Sequence, residues 1–309
     1  MQKLEKSDEL IVLEFMEKRQ ALPNKKMEKR RKYLSKGYEG ELEFIKWFNE
    51  YQPGNWVLVI NYWFKDDYTM QADFILLSSY QWIVIDVKNY DGIYRYNGHG
   101  EGWLNDLKLN GDNFLTLSNR TNSIRNIAQG IDPHIQVTSA MIFINQHNEV
   151  FIEVPVQAKV VKRDQLKRYL QGLPRVAPMP DWELGDVIQV LNTHKTSYGI
   201  PFEAMAPEDF GQLRKGIYCP KCHEYDMEFR HDYVKCRNCG TTEKNGEIIY
   251  RHAIELSYLF YKHPEMVSTK NIYELIDEKI SKRTIRTYLS SYFKPIYKSV
   301  STYFVVNRP

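Results

Sequence analysis

The chain has 309 residues, 43% of them hydrophobic and 26% charged, a composition that fits a folded globular protein and excludes a disordered or fibrous one. At about 150 residues per domain the length predicts two to three units. A net charge of +3 excludes a general polycation. The charged start MQKLEKSDEL predicts no secretory signal, and the most apolar stretch, Phe74 to Val87, is interrupted by Ser78, Ser79, Gln81 and Asp86, so no membrane span is expected.

Residues 5 to 36 read as two helical segments split by Ala-Leu-Pro-Asn at 21–24, with Leu10, Leu13 and Met16 at near-helical spacing in the first. The second, Lys25 to Lys32, is strongly basic; it is either a solvated face or an arm that touches phosphate. From Gly37 the pattern changes. Gly40 to Phe48 is an amphipathic helix with Phe44, Trp47 and Phe48 on one side, and Trp56 to Phe64, Ala72 to Leu77 and Trp82 to Val87 are β-rich runs divided by polar breaks such as Asp66-Asp67 and Ser78-Ser79. A helix over Leu115 to Gln129 follows, then a buried-type strand at Ala140 to Ile144. This order predicts an α/β domain with a mixed sheet flanked by helices.

The two acidic positions of this region stand where charge is out of place. Asp73 opens one predicted strand and Asp86 closes the next, so an antiparallel pair joined by a short turn brings them together. Alternation along the strand puts Asp86 and Lys88 on one face and Val87 on the other. Asp86 interrupts a run of Trp, Ile, Val, Ile and Val that otherwise reads as buried, and a buried charge is costly unless paired or metal-bound. Two carboxylates with a substrate phosphate suffice to hold Mg²⁺ or Mn²⁺, which would polarise the phosphate and activate a bound water, while Lys88 orients that water or stabilises growing charge.

Asp73 followed by Asp86-Val87-Lys88 resembles the PD-(D/E)xK nuclease signature. With Gly40-Glu41, Gln71-x-Asp73 and Asn89, the stretch from about 37 to 160 is similar to the nuclease-related domain called NERD. The resemblance implies a restriction-endonuclease-like fold in which a helix before the catalytic hairpin adds a further acidic residue, and Glu41 is the matching position. The catalytic set so implied is Glu41, Asp73, Asp86 and Lys88, with Glu41, Asp73 and Asp86 holding the catalytic ion. Two departures are visible: Asp86 stands where a Glu is usual, and Asn119-Arg120 stands where the family has an Asn-Pro pair. No role is assigned to that helix.

All four cysteines lie in two Cys-x-x-Cys pairs, Cys219/Cys222 and Cys236/Cys239, with none left over. The spacing predicts a zinc ribbon, a structural Zn²⁺ on four thiolates with no open position, and a reducing, cytoplasmic setting. His223 and His231 are alternative ligands, and Lys221, Lys235 and Arg237 are either solvated or close to phosphate. Residues 250–263, 270–280 and Lys282 to Phe293 read as helices, and Ile296 to Val306 as a hairpin, which is the order of a winged helix-turn-helix.

The C-terminal end is one-sidedly basic. Residues 251–309 hold ten Lys and Arg against five Asp and Glu, and after Glu278 the charged residues are Lys279, Lys282, Arg283, Arg286, Lys294, Lys298 and Arg308 alone. Such charge suits a polyanion. Ser281 reads as an N-cap, with Ile285, Tyr288 and Leu289 inward and Lys282, Arg283 and Arg286 outward for nucleic acid.

The expected organisation is a basic helical segment over 1–36, a nuclease-like domain over 37–165, a domain end and Pro-rich connector over 166–212, a zinc ribbon over 213–245 and a winged-helix-like module over 246–309. The expected function is a divalent-metal-dependent nuclease delivered to nucleic acid, DNA in preference, by its C-terminal modules. Two rivals stand beside it: a DNA-binding regulator with an inactive nuclease fold, and a scaffold that grips protein partners through the C-terminal modules.

Overall fold

The computed structural model describes residues 4–66, 68–197, 199–298 and 301–307, so Asp67 and Arg308 lie outside the described residues. In chain order the elements are α1 (Asp8–Lys18), α2 (Lys25–Tyr51), β1 (Val57–Lys65), β2 (Thr69–Leu77), β3 (Gln81–Lys88), β4 (Gly92–Tyr96), β5 (Gly102–Leu104), β6 (Leu107–Lys108), α3 (Asn113–Ile131), β7 (Gln136–Phe143), β8 (Asn148–Ile152), β9 (Lys159–Lys162), α4 (Arg163–Gln171) and α5 (Asp181–His194). There follow β10 (Met227–Phe229), β11 (Tyr233–Cys236), β12 (Thr242–Lys244), α6 (Asn245–Leu259), α7 (Thr269–Leu275), α8 (Lys282–Tyr292), β13 (Lys294–Lys298) and β14 (Ser301–Val305). Among the described residues no helix is long and apolar enough to cross a membrane. The chain divides into two compact units, residues 4–5 with 33–197 and residues 6–32 with 199–307.

The first unit is built on a mixed sheet of order β1-β2-β3-β7-β9. β1, β2 and β3 form an antiparallel meander, and β7 joins β3 in parallel, with Asp86 opposite Met141 and Lys88 opposite Phe143. A parallel neighbour requires a crossover, and α3 supplies it. On one face Phe44 and Phe48 of α2 and Leu166 and Leu170 of α4 cover Phe74, Leu76, Ile83, Ile85 and Ile142. The other face, with Ile75, Leu77, Trp82, Val84 and Met141, is covered by Leu117 and Ile124 of α3 and Val187 and Leu191 of α5. The mixed, helix-flanked sheet is as the sequence predicts.

Three features differ from the expectation. Residues 25–36 and 40–48 are one helix, α2. Gly37 and Gly40 do not interrupt it because neither needs a non-helical backbone. Gly40 is there for space, since a Cβ at this position would lie 2.7 Å from Asn89 Cβ. Secondly, the stretch read as a domain end and connector over 166–212 contains most of α4 and all of α5, whose Val187 and Leu191 are core residues, so its first part is packed domain. Its prolines punctuate helices, Pro180 standing at the N-cap of α5. Thirdly, a second sheet of order β6-β5-β4-β8 escapes the reading, because its strands are two to five residues long and separated by Gly and Asn turns.

In the second unit β10, β11 and β12 form a small antiparallel sheet, and α6, α7 and α8 are followed by the β13/β14 hairpin. The hairpin is tied to the segment before α7: Phe304 N–H donates to Val267 O at 2.9 Å, and Ser268 forms an isolated bridge with Tyr303. Residues 6–32 belong to this unit. Arg19, wholly buried, is bidentate to the equally buried Glu255 of α6 at 2.7 and 2.8 Å and also donates to the carbonyls of Arg214 and Gly216.

The two helical glycines of α2 make opposite predictions. Gly37→Ala has nothing within 4 Å of the new methyl and should stabilise the protein by about 0.5–1 kcal/mol. Gly40→Ala must push Asn89 away and should destabilise it by about 1–3 kcal/mol in urea titrations; equal effects of the two would refute the packing argument.

Candidate active site and cysteine cluster

β2 and β3 are paired from Leu77↔Trp82 as far as Phe74↔Ile85, and there the ladder stops. The next amide of β3 that would have bonded across, Val87 N–H, donates instead to Asp73 Oδ2 at 2.9 Å. A side chain has replaced the backbone acceptor, and the strands part at the position where Asp73 and Asp86 come level. On β1 the residue that would face Asp73, Asn61, adopts φ 51° and accepts a 2.6 Å hydrogen bond from Gln71 Nε2. A non-glycine residue in this backbone region is uncommon and clusters at functional sites.

Asp86 is 3% exposed and both its oxygens face cations. Lys88 Nζ lies 2.6 Å from Oδ2, and Arg120 NH1 of α3 lies 2.6 Å from Oδ1. Lys88 is out of line for a hydrogen bond, which leaves Oδ2 a buried oxygen without one. Burial and then the Asp86 charge push the Asp73 carboxyl up to about 6, against the opposing pull of Lys88, Arg120 and the Val87 amide. Glu41, delivered by α2, accepts no hydrogen bond among the described residues. Burial first, then the charges of Asp73 and Asp86, raise its carboxyl to about 8. The Lys88 ammonium, although burial works against it, is held protonated above its ordinary range by Asp86.

The structure thus gathers Glu41, Asp73, Asp86 and Lys88 into one electrostatically coupled group. Arg120 is a residue that the sequence reading missed, having assigned its helix no role. The signal was present: Arg120 follows Leu117 by three and precedes Ile124 by four, so it lies on the side of α3 that meets the sheet. Position is held by a further clamp, Asn89, whose amide donates to Lys36 O of α2 at 2.7 Å and whose oxygen accepts from Asn145 at 3.0 Å.

Three carboxylates against two cations leave one negative charge in excess, and burial together with that charge is what raises the Glu41 carboxyl. A divalent hard cation would relieve the same charge, so the donor set fits such an ion. The carboxylate oxygens do not close on one another as tightly as the cysteine sulfurs do. Among the described residues the four cysteines are the set of three or more Cys, His, Asp or Glu with all ligand atoms within 4.8 Å.

Cys219 Sγ is 3.5 Å from Cys239 Sγ, and Cys222 Sγ is 3.5 Å from Cys236 Sγ. Four thiolates around one zinc at about 2.3 Å would stand roughly 3.8 Å apart, so the cluster could hold a tetrahedral Zn²⁺ after a small expansion. Gly240, at φ 73°, makes the turn after the second knuckle, and its amide donates to Cys236 O at 3.0 Å. The Thr241 hydroxyl beside Cys239 brings that thiol down to about 6, whereas Cys236, although the Cys239 amide lowers it, is pushed up to about 11 by burial and the Cys222 thiol.

On α8, Ser281 caps the helix by accepting from Thr284 N–H at 3.2 Å, Ile285 and Leu289 are buried, and Lys282, Arg283 and Arg286 are exposed. Tyr288 departs from the expectation. It is 36% exposed, because it sits at the edge of the buried stripe and lies over Gly246 of α6.

A meander with a parallel crossover, carrying carboxylates and a lysine where two strands part, makes this unit a mixed α/β domain with its candidate site at the strand opening. Residues 36–161 match the family model described as nuclease-related domain, NERD. No curated protein and no solved structure gives a match.

The raised Glu41 carboxyl has a consequence for stability without divalent ions. From its ordinary 4.5 up to about 8, the folded protein keeps a proton that the unfolded chain has released, so stability falls as pH rises through that window. Glu41→Gln should therefore gain on the order of 2 kcal/mol relative to wild type between about pH 5 and pH 8.5 in urea titrations; a constant difference would show that Glu41 is not strained. For the cysteine cluster, metal analysis should find one zinc per chain, and Cys236→Ala should lose it with a fall in unfolding temperature of roughly 10 °C.

Proposed function

We propose that the chain is a divalent-metal-dependent nuclease that hydrolyses phosphodiester bonds, with DNA as its preferred substrate. The observation that carries this reading is the excess negative charge of Glu41, Asp73 and Asp86 at the parting of β2 and β3, inside a domain whose family is nuclease-related. Asp73, Asp86 and Glu41 would hold Mg²⁺ or Mn²⁺, and such an ion when bound polarises a phosphate and lowers the pKa of water. The chain's own cations divide the remaining work. Lys88 is held protonated, so it serves as an electrostatic partner for the charge that builds on the phosphate and not as a base. Arg120, partly exposed beside Asp86, is placed to grip the same phosphate through its planar fork. The structural Zn²⁺ on Cys219, Cys222, Cys236 and Cys239 has no open position and shapes a module that, with the cations of α8, would deliver the enzyme to nucleic acid.

A second reading has its own observation. With Lys88 and Arg120 on the two oxygens of Asp86, the site is already neutralised in part. A protein that keeps this pairing would bind DNA without cutting it. Purified protein with Mg²⁺ or Mn²⁺ decides between them when offered supercoiled, linear, single-stranded and branched DNA together with RNA. The nuclease reading expects cleavage that falls by about a hundredfold or more in Asp73→Ala while DNA binding persists. No cleavage by wild type with either ion would leave the regulator.

A further inference from the structure

The second unit carries aromatic rings that its core does not use. Tyr250 of α6 is 45% exposed, Tyr292 of α8 is 44% exposed and Tyr288 is 36% exposed, yet all three are ordered against one another and against Phe293. Tyr250 stacks on Phe293 with ring centroids 5.4 Å apart and planes 13° from parallel. Tyr288 stacks on Tyr292 at 6.0 Å and 16°, and Tyr250 meets Tyr292 edge-on at 5.3 Å, which joins the two stacks into one patch. Rings of this size normally hide in a core or pair with a partner.

The patch is held open by glycine. A Cβ on Gly246 would lie 2.7 Å from Tyr288 Cε1 and 2.8 Å from Tyr292 Oη, so only a bare backbone lets those two rings lie down over the start of α6. Their outer faces are thereby fixed in advance, which lowers the entropy cost of stacking a ligand on them. The surrounding charge on α8 and the hairpin is positive. From Lys279 to Lys298 the charged residues are all cations, Arg286 and Lys294 flanking the tyrosines in sequence and both exposed. The acid nearest to Tyr250 on α6, Glu247, is tied into the helix cap by Lys244 N–H at 2.9 Å.

We propose that this tyrosine patch on α6 and α8 is a stacking platform for the unpaired bases of single-stranded nucleic acid. Aromatic faces interleaved with cations fit that ligand: every base has a π-face, the backbone supplies the negative charge, and paired bases in a duplex cannot stack on a protein ring. An acidic protein would use the cations and leave the ring faces uncovered. The inference rests on the reading that the chain acts on nucleic acid and narrows it, toward substrates that carry a single-stranded tail, bubble or branch.

The test is a binding titration by fluorescence anisotropy on the full chain without added divalent cation, so that cleavage plays no part in it. Single-stranded DNA, single-stranded RNA and duplex DNA of equal length are compared at fixed salt. Single strands of either sugar should bind at least about tenfold more tightly than duplex, and stacking should quench tyrosine emission. The pair Tyr288→Leu with Tyr292→Leu keeps apolar packing over Gly246 but removes the ring faces, and should abolish that preference. Tyr288→Phe with Tyr292→Phe keeps the faces and should retain it, which separates stacking from folding. The proposal is overturned if duplex binds as well as single strands, or if the Leu pair binds like wild type. It is also overturned if sedimentation shows a dimer that the Leu pair dissolves, since the patch is then a self-interface. Single-strand binding that survives while no nucleic acid is ever cut sinks the nuclease reading and leaves this one standing.

Discussion

The candidate site depends on one substitution of partners: Val87 N–H bonds to the Asp73 carboxylate where a β2 carbonyl would have continued the ladder. A backbone amide at the end of a buried strand must be satisfied, and a carboxylate from the neighbouring strand does it while forcing the strands apart. From that opening the rest follows. Asp86 comes level with Asp73 inside the sheet, Glu41 of α2 adds its charge, and Lys88 and Arg120 are drawn in because carboxylates this deep need cations. The geometry is held from outside by Asn89 and by Gly40, where helix and strand approach too closely for a side chain.

Energetically the group is poised and not settled. Burial and the Asp86 charge raise the Asp73 carboxyl, and burial with both aspartates raises that of Glu41, so the excess charge can be relieved by a proton or by Arg120. Sites that hold such alternatives close together in free energy are those where ligand binding can exchange one for another. The second unit follows a different logic. Its buried ion pair Arg19–Glu255 is bidentate and its cysteine sulfurs are drawn together, and its open features are the cations of α8 and the tyrosines beside it.

How much of this was legible in the sequence varies with the range of the interaction. Asp86 stood out because a charge broke a run of apolar residues, and Lys88 followed from strand alternation. The four cysteines were legible from spacing alone. The helices around Leu13, Phe44, Leu117 and Ile285 showed their 3.6-residue period. By contrast β4 to β6 and β8 are too short to carry a period, and α5 hid among prolines that mark its start.

By itself, then, the sequence determined the residues that could carry chemistry and the layer order of the sheet, because periodicity and ligand spacing are local. Only the tertiary structure decided which of them meet. That Arg120 pairs with Asp86 follows from how α3 crosses the sheet, that Tyr288 lies open follows from Gly246 on another helix, and that Glu41 is strained follows from burial beside two other acids. Each is a contact between residues distant in sequence, fixed by packing that no local pattern encodes.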